Sequence, residues 1–303
     1  MVVKDEADIV GQTLDAALTW CDNVYVFDNG STDGTWELVR EMAGRHPAIV
    51  PFASEAVPFH QGLRGTLYRH FRRRARPGDW WCKLDADEFY IDDPQTFLAR
   101  ILPRNNEVWS SSFQYYFTDV DARRWEADPS CFAGPGPIEE RIRHYKNNWS
   151  ELRFFRESPG LEWREDEHGM PIGPAPLGLF GVSPRRIRLK HYQYRSPEQI
   201  QRRLDSRLQA PGVAFRHEKR ANWLMSTFGA PAGFEEPAAS VAVEEAAPSW
   251  RDRVVPAELL NRDDGTGSYL SDPTALPQLP VAHRELRRLR ARGMALRWRV
   301  LHR

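Results

Sequence analysis

The sequence predicts an α/β protein built around a parallel, doubly wound sheet. Two observations carry this. Strand-like apolar runs alternate with helical periodicity over the first 90 residues, the pattern that builds successive βαβ units. Two acid-rich turns, "FDNGSTD" and "LDADE", each follow an apolar run, and open α/β sheets bind ligands at the carboxyl ends of their strands. At 303 residues the chain is long enough for one large α/β domain, or one domain plus a smaller appendage, with a core that needs no covalent staples.

The elements follow in order. "MVVKDEADIV" gives a short apolar start and then acidic residues, after which Leu14, Ala17 and Leu18 recur at helical spacing. Val24 to Phe27 is a second strand that breaks into a turn of Asn, Gly, Ser and Asp, and "TWELVREMAG" resumes the helical period with Gly44 as its stop. "IVPFAS" reads as a third strand. "TLYRHFRRRAR" reads as an amphipathic helix with Leu67 and Phe71 inward, closed by "PGD". "WWCKLDADEFY" then reads as a core strand ending in Asp85, Asp87 and Glu88. From about Trp109 to Lys190 the pattern changes to short strands, "VWSSSFQYYFT", "LRFFRES" and "RIRLKHYQY", between Gly/Pro-rich loops. "SPEQIQRRLDSRL" starts a helix with Ser196 as N-cap and Pro197 at the first helical position. Residues 229–249, rich in Ala, Pro and Glu, read as a linker or mobile loop.

Composition excludes several classes. The cysteines Cys21, Cys82 and Cys131 are far apart and form no CxxC pair, which argues against zinc and against a disulfide framework and fits a reducing, cytoplasmic setting. No run approaches the roughly 18 apolar residues of a membrane span, and the first residues do not read as a signal peptide. With 42 basic and 42 acidic residues, net charge gives no bulk attraction to nucleic acid or acidic lipid.

Three carboxylates behind a core strand repel one another, and each costs free energy to take out of water unless a cation or donor answers it. Asp85 and Asp87, one residue apart, can both reach a hard divalent cation, with a phosphate completing the coordination. Such triplets also occur in solvated loops. The strand-end context, with "DNGSTDGT" beside it, favours a site for a nucleotide diphosphate and a metal.

In "VKDEADIV" (3–10), "VYVFDNGSTDGTWELV" (24–39) and "WWCKLDADEFY" (80–90) the chain resembles the GT-A glycosyltransferases, in particular those similar to family 2. The resemblance implies a GT-A fold, a Rossmann-like and mostly parallel central sheet with helices on both faces, here with a helical C-terminal extension. It implies transfer of a sugar from a nucleotide-diphosphate donor to a glycan, glycolipid or other small acceptor, as in polysaccharide assembly. Carried over by motif, Asp5, Glu6, Asp28, Asn29 and Asp33 are nucleoside-side candidates. Asp85 and Asp87 are candidates to act on the diphosphate through manganese or magnesium, and Arg64 to meet a phosphate. Many members read "DDGS" where this chain has "DNGS"; the amide of Asn29 still hydrogen-bonds a base edge but carries no charge, which leaves the nucleotide open. His191, at the end of a late strand, is the candidate third metal ligand, and Arg195 can neutralise the leaving diphosphate. For the general base of an inverting transfer Asp166 is the first choice and His168 the second. Each has a plainer alternative: Asp28, Asn29 and Asp33 as turn residues holding local backbone N–H groups, Asp5 and Glu6 as helix caps, Arg64, Asp166 and the histidines as surface or packing residues.

The implied organisation is a catalytic domain over 1–228, with a nucleotide-sugar half over 1–105 and an acceptor half over 106–228, then the 229–249 linker and a helical extension over 250–303. Its tail, 283–303, carries eight arginines and one glutamate, with Leu286, Leu289, Leu296 and Val300 on one helical face. That helix either packs on the catalytic domain or rests peripherally on an anionic membrane. Two other readings compete. A metal-dependent nucleotidyltransferase also uses paired aspartates, but "VKDEADIV" has no glycine-rich phosphate loop. A non-catalytic binder of nucleic acid or anionic lipid would use the arginine clusters, and leaves both acid turns unexplained.

Overall fold

The computed structural model describes residues 1–133, 136–209, 218, 223–228 and 248–280. These fall into two compact units. One holds 1–114, 147–191 and the residues from 271; the other holds 115–146 and 192–270.

The first unit begins with three parallel strands, β1 (Val2–Val3), β2 (Val24–Asp28) and β3 (Ile49–Ser54), ordered β1-β2-β3. Helices cover both faces, as the alternating pattern predicts. α1 (Val10–Leu18) and α2 (Thr35–Arg45) bury Val10, Leu14, Ala17, Val39 and Met42 against Val3, Val24 and Val26. α3 (Leu63–Phe71) brings Leu63, Leu67 and Phe71 onto Phe27 on the opposite face. Removing a side chain such as Leu14 or Phe71 from water stabilises the sheet by about 1.5–3 kcal/mol, which is why the two helical stripes fix the order of the layers.

"WWCKLDADEFY" is not one strand. It divides into β4 (Trp80–Cys82) and β5 (Glu88–Tyr90), with the acids in the turn between them. The two pieces pair with different partners. After α4 (Pro94–Ala99), capped by Asp93 accepting the Thr96 N–H at 2.8 Å, the chain enters β6 (Glu107–Tyr116). α5 (Asp119–Ala127), α6 (Ser130–Ala133) and α7 (Ile138–Arg141) belong to the second unit, and β7 (His144–Trp149) leads back. β8 (Leu152–Arg156) pairs antiparallel with both β4 and β6, while β9 (Ile187–His191) runs parallel to β6 and antiparallel to β5. Parallel ladders join β1–β3 and β6 with β9. β8 with β4 and β6, β5 with β9, and β10 with β7 are antiparallel.

In the second unit, Thr118 and Asp121 form a capping box at the start of α5. α8 (Pro197–Gln209) is capped as its sequence predicts, Ser196 Oγ accepting the Gln199 N–H at 3.2 Å. α9 (Trp223–Phe228) follows. Between 250 and 262 the chain makes two 3-10 turns, Trp250–Arg253 and Ala257–Leu259, and β10 (Asn261–Arg262), which pairs with His144 and Tyr145. The linker up to 247 and the tail helix over 283–303 lie outside the described residues. Among the described residues no helix is long and apolar enough to cross a membrane.

Candidate functional site

The site grows from strand register. Glu88 on β5 stands opposite His191 on β9, and Gln114 on β6 stands opposite the same histidine. A carboxylate, an imidazole and a carboxamide thus form one row across three strands, since paired residues present their side chains on the same face. The turn preceding β5 adds Asp85 and Asp87. Asp87 is buried and its Oδ1 lies 3.3 Å from His191 Nε2.

Beneath this row sits Arg153 of β8, a side chain with no exposed surface. Its Nη1 donates to the Lys83 carbonyl at 3.0 Å and to Asp85 Oδ2 at 2.9 Å. Its Nη2 donates to Glu151 Oε1 at 2.6 Å and to Glu88 Oε1. Arg64 of α3 reaches the other oxygen of Asp85, and Lys83 Nζ is 3.9 Å from Glu151 Oε2. Four carboxylates (Asp85, Asp87, Glu88, Glu151) therefore meet four basic groups (Arg64, Lys83, Arg153, His191). Burying any of these charges singly costs several kcal/mol, and the opposed charges offset that cost.

The same packing sets the proton affinities. For Asp85 burial works upward, but Arg64 and Arg153 outweigh it and hold the carboxyl well below the usual range. Burial dominates at Glu88 and, with the charge of Asp85, pushes it up to about 8 against the pull of Arg153. Burial lowers Lys83 to about 8 despite Glu151. At His191 burial works downward, and contact with Asp87 reverses it, raising the imidazole to about 9. Asp85 and Glu151 are the accessible acids, with 24% and 31% of their side chains exposed against none for Glu88.

These groups fit a divalent cation. Ligand oxygens of Asp85, Glu88 and Glu151 lie within 4.8 Å of one another; Asp87 and His191, which meet through Nε2, are not in that group, and among the described residues Nδ1 of His191 is buried with no hydrogen-bond partner. Hard carboxylate oxygens with an imidazole suit manganese or magnesium. Arg64 and Lys83 also line, with Tyr25, Trp80 and Trp81, a cavity of about 790 Å³, within the range of small-molecule sites.

The first acid turn is organised differently. Asp28 accepts from Ser54 Oγ at 2.6 Å, from the Ser31 N–H at 3.1 Å and from Ser31 Oγ. Asn29 Oδ1 accepts the Val57 N–H, and Asp33 accepts the N–H groups of Ala7 and Thr35, each at 3.1 Å. Asp5, at φ +53°, accepts the Thr32 N–H at 2.7 Å. The Glu6 carbonyl accepts the N–H groups of Ile9, the residue before α1, and of Val10, its first, at 3.0 and 2.8 Å. Gly30 is required here: its φ is +71°, and a Cβ would come within 2.6 Å of Ala56.

Asp166 and His168 lie on an exposed loop, where Asp166 Oδ1 accepts the N–H groups of His168 and Met170, both at 2.9 Å. Chiefly the Met170 N–H holds its carboxyl below the usual range. This loop rests on α3. Arg69 donates to Glu165 at 2.7 Å and to the Gly169 carbonyl at 2.9 Å, and a Cβ at Gly65 would strike Pro171 and Trp163. The helix that sends Arg64 to Asp85 thus also seats the loop of Asp166. Arg195 belongs to the other unit, where it is buried and donates to the Tyr192 carbonyl at 2.8 Å.

Sequence reading missed Arg153, Glu151, Lys83 and Gln114. A signal existed for two of them: Lys83 and Arg153 are single basic residues inside the apolar runs "WWCKL" and "LRFF", positions where a charge persists only if partnered.

No protein-family profile matches the chain, and no curated protein matches it. Among solved structures it is similar to the mannosyltransferase PcManGT from Pyrobaculum calidifontis in complex with GDP-Man and Mn2+, at 16% identity and a TM-score of 0.36, over 70% of this chain and 64% of that one. The chain spans less than two thirds of that enzyme's length, and so distant a likeness says nothing about individual residues.

Proposed function

We propose that this chain is a metal-dependent glycosyltransferase, similar to family 2 of the GT-A enzymes, which moves a sugar from a nucleotide-diphosphate donor to a glycan, glycolipid or other small acceptor. The observation that supports this most is the turn between β4 and β5, where Asp85 bridges two guanidiniums while Asp87 faces His191. Asp87 and His191, with the accessible oxygens of Asp85, are the proposed holders of manganese or magnesium. A cation bound there would stabilise negative charge on the departing diphosphate. Arg153 keeps Asp85 ionised and oriented, and Arg64 offers a guanidinium for phosphate oxygens. Asp28, Asn29 and Asp33, with Asp5 and Glu6, form the proposed nucleoside side. Asp166, or else His168, would take the acceptor's proton in an inverting attack.

Purified protein is to be tested against UDP-, GDP- and dTDP-sugars with manganese, reading binding and hydrolysis; no response to any donor would refute the reading. With a donor identified, Asp87→Ala is expected to weaken manganese-dependent nucleotide binding by at least about tenfold, equivalent to about 1.4 kcal/mol. Its melting temperature should fall, because His191 loses its buried partner, so binding is read well below the unfolding transition. Unchanged binding would remove Asp87 from the metal site.

A further inference from the structure

The second unit carries its own pocket. Arg124, Arg143, His144 and Arg262, with Val120, Asp121 and Glu140, line a cavity of about 440 Å³, within the size range of small-molecule sites. Its charges are not balanced internally. Asp121 is engaged in the α5 capping box, where it accepts from the Thr118 N–H and hydroxyl at 3.0 and 2.7 Å, and it lies 3.3 Å from Arg124. Arg124 is further held by the Arg141 carbonyl at 3.3 Å and by the Phe132 ring, 5.1 Å from its guanidinium carbon.

Arg143 and Arg262 stand apart from this pairing. Among the described residues neither has a carboxylate oxygen within 4.0 Å, and the bond from Arg143 Nε to the Glu140 carbonyl is long at 3.5 Å. The strand register sets Arg262 of β10 directly opposite His144 of β7. His144 adds a third donor position, because its Nδ1 is buried and among the described residues has no hydrogen-bond partner. A buried imidazole nitrogen without a partner carries a desolvation cost that a ligand atom would relieve. Two uncompensated guanidiniums and that nitrogen around one cavity match an oxyanion with several acceptor oxygens, and guanidinium forks suit phosphate in particular.

We propose that this pocket binds a small phosphate-bearing molecule, with Arg143 and Arg262 as its charged donors and His144, in the Nδ1–H tautomer, as the third. The site is independent of the donor site proposed above and would stand if that reading fell.

The test titrates full-length protein with inorganic phosphate at constant ionic strength and follows the histidine ring signals by NMR, His144 being assigned through His144→Gln. A saturable shift of the His144 signal is expected, weakened about tenfold or more in an Arg143→Gln, Arg262→Gln double variant. Glu140→Gln, which removes the carboxylate at the pocket, is expected to tighten binding. This gives a gain to measure even where a loss could reflect misfolding. No saturable His144 shift, a shift confined to His191, or equal affinity in the double variant would overturn the proposal.

Discussion

The two acid turns of the first unit differ in what answers their carboxylates. Asp28 and Asp33 are met by backbone N–H groups and by the hydroxyls of Ser31, Ser54 and Thr35. Asp85 and Glu88 are met by guanidinium groups, and Asp87 by an imidazole. Neutral donors fix a loop in one shape and are used up in doing so. Charged partners hold the acids in an electrostatic balance that another ion can enter. The first turn is thereby a rigid wall, while the second can exchange partners with a ligand.

The sharpest way to break this contrast is Arg153→Met. It leaves Asp85, Glu88 and Glu151 without their shared guanidinium, and a broken buried ion pair costs about 3–5 kcal/mol. Urea unfolding is expected to show a loss of that size, and a loss below about 1 kcal/mol would mean that the cluster does not depend on Arg153. Next comes pH. His191 sits at about 9 in the folded protein against an ordinary 6.5. Its pairing with Asp87 therefore contributes stability fully below about pH 6.5, and that contribution disappears as pH rises through about 9. In metal-free protein the effect is on the order of a few kcal/mol. Unfolding curves at pH 6 and pH 9.5 should differ less in His191→Gln than in wild type. The smallest effect belongs to the neutral turn. Asp28→Ala strips the acceptor from Ser31 and Ser54 and is expected to cost about 1–3 kcal/mol, with no change in the pH dependence between 6 and 9.5.

Sequence periodicity revealed the helices of the first unit well, because α1 and α3 each carry one apolar stripe and bury it: Leu14 and Ala17, Leu67 and Phe71. Strand direction was hidden, since an apolar run looks the same whether its neighbour is parallel or antiparallel. The break between Cys82 and Glu88 was hidden for a related reason, being caused by pairing with β8 and β9, far along the chain. At the candidate site the acids could be read from their crowding in "DADE", whereas the cations could not. Arg153 comes 68 residues after Asp85, and nothing local to either residue announces the other.

That separation makes the charge cluster a proofreading device for strand alignment. β8 has two neighbours, β4 and β6, and three apolar side chains, Leu152, Phe154 and Phe155, whose burial alone does not single out one register. A slip of one residue would turn every side chain of β8 to the opposite face. Leu152 or Phe154 would then lie against Asp85 and Glu88, and the guanidinium of Arg153 would enter the apolar layer, leaving both sets of charges uncompensated. Only one alignment brings Arg153, with its near neighbour Glu151, to both Asp85 and Glu88. His191 on β9 lies further along the chain still, so the site is complete only when β8 and β9 have both found their registers against the turn.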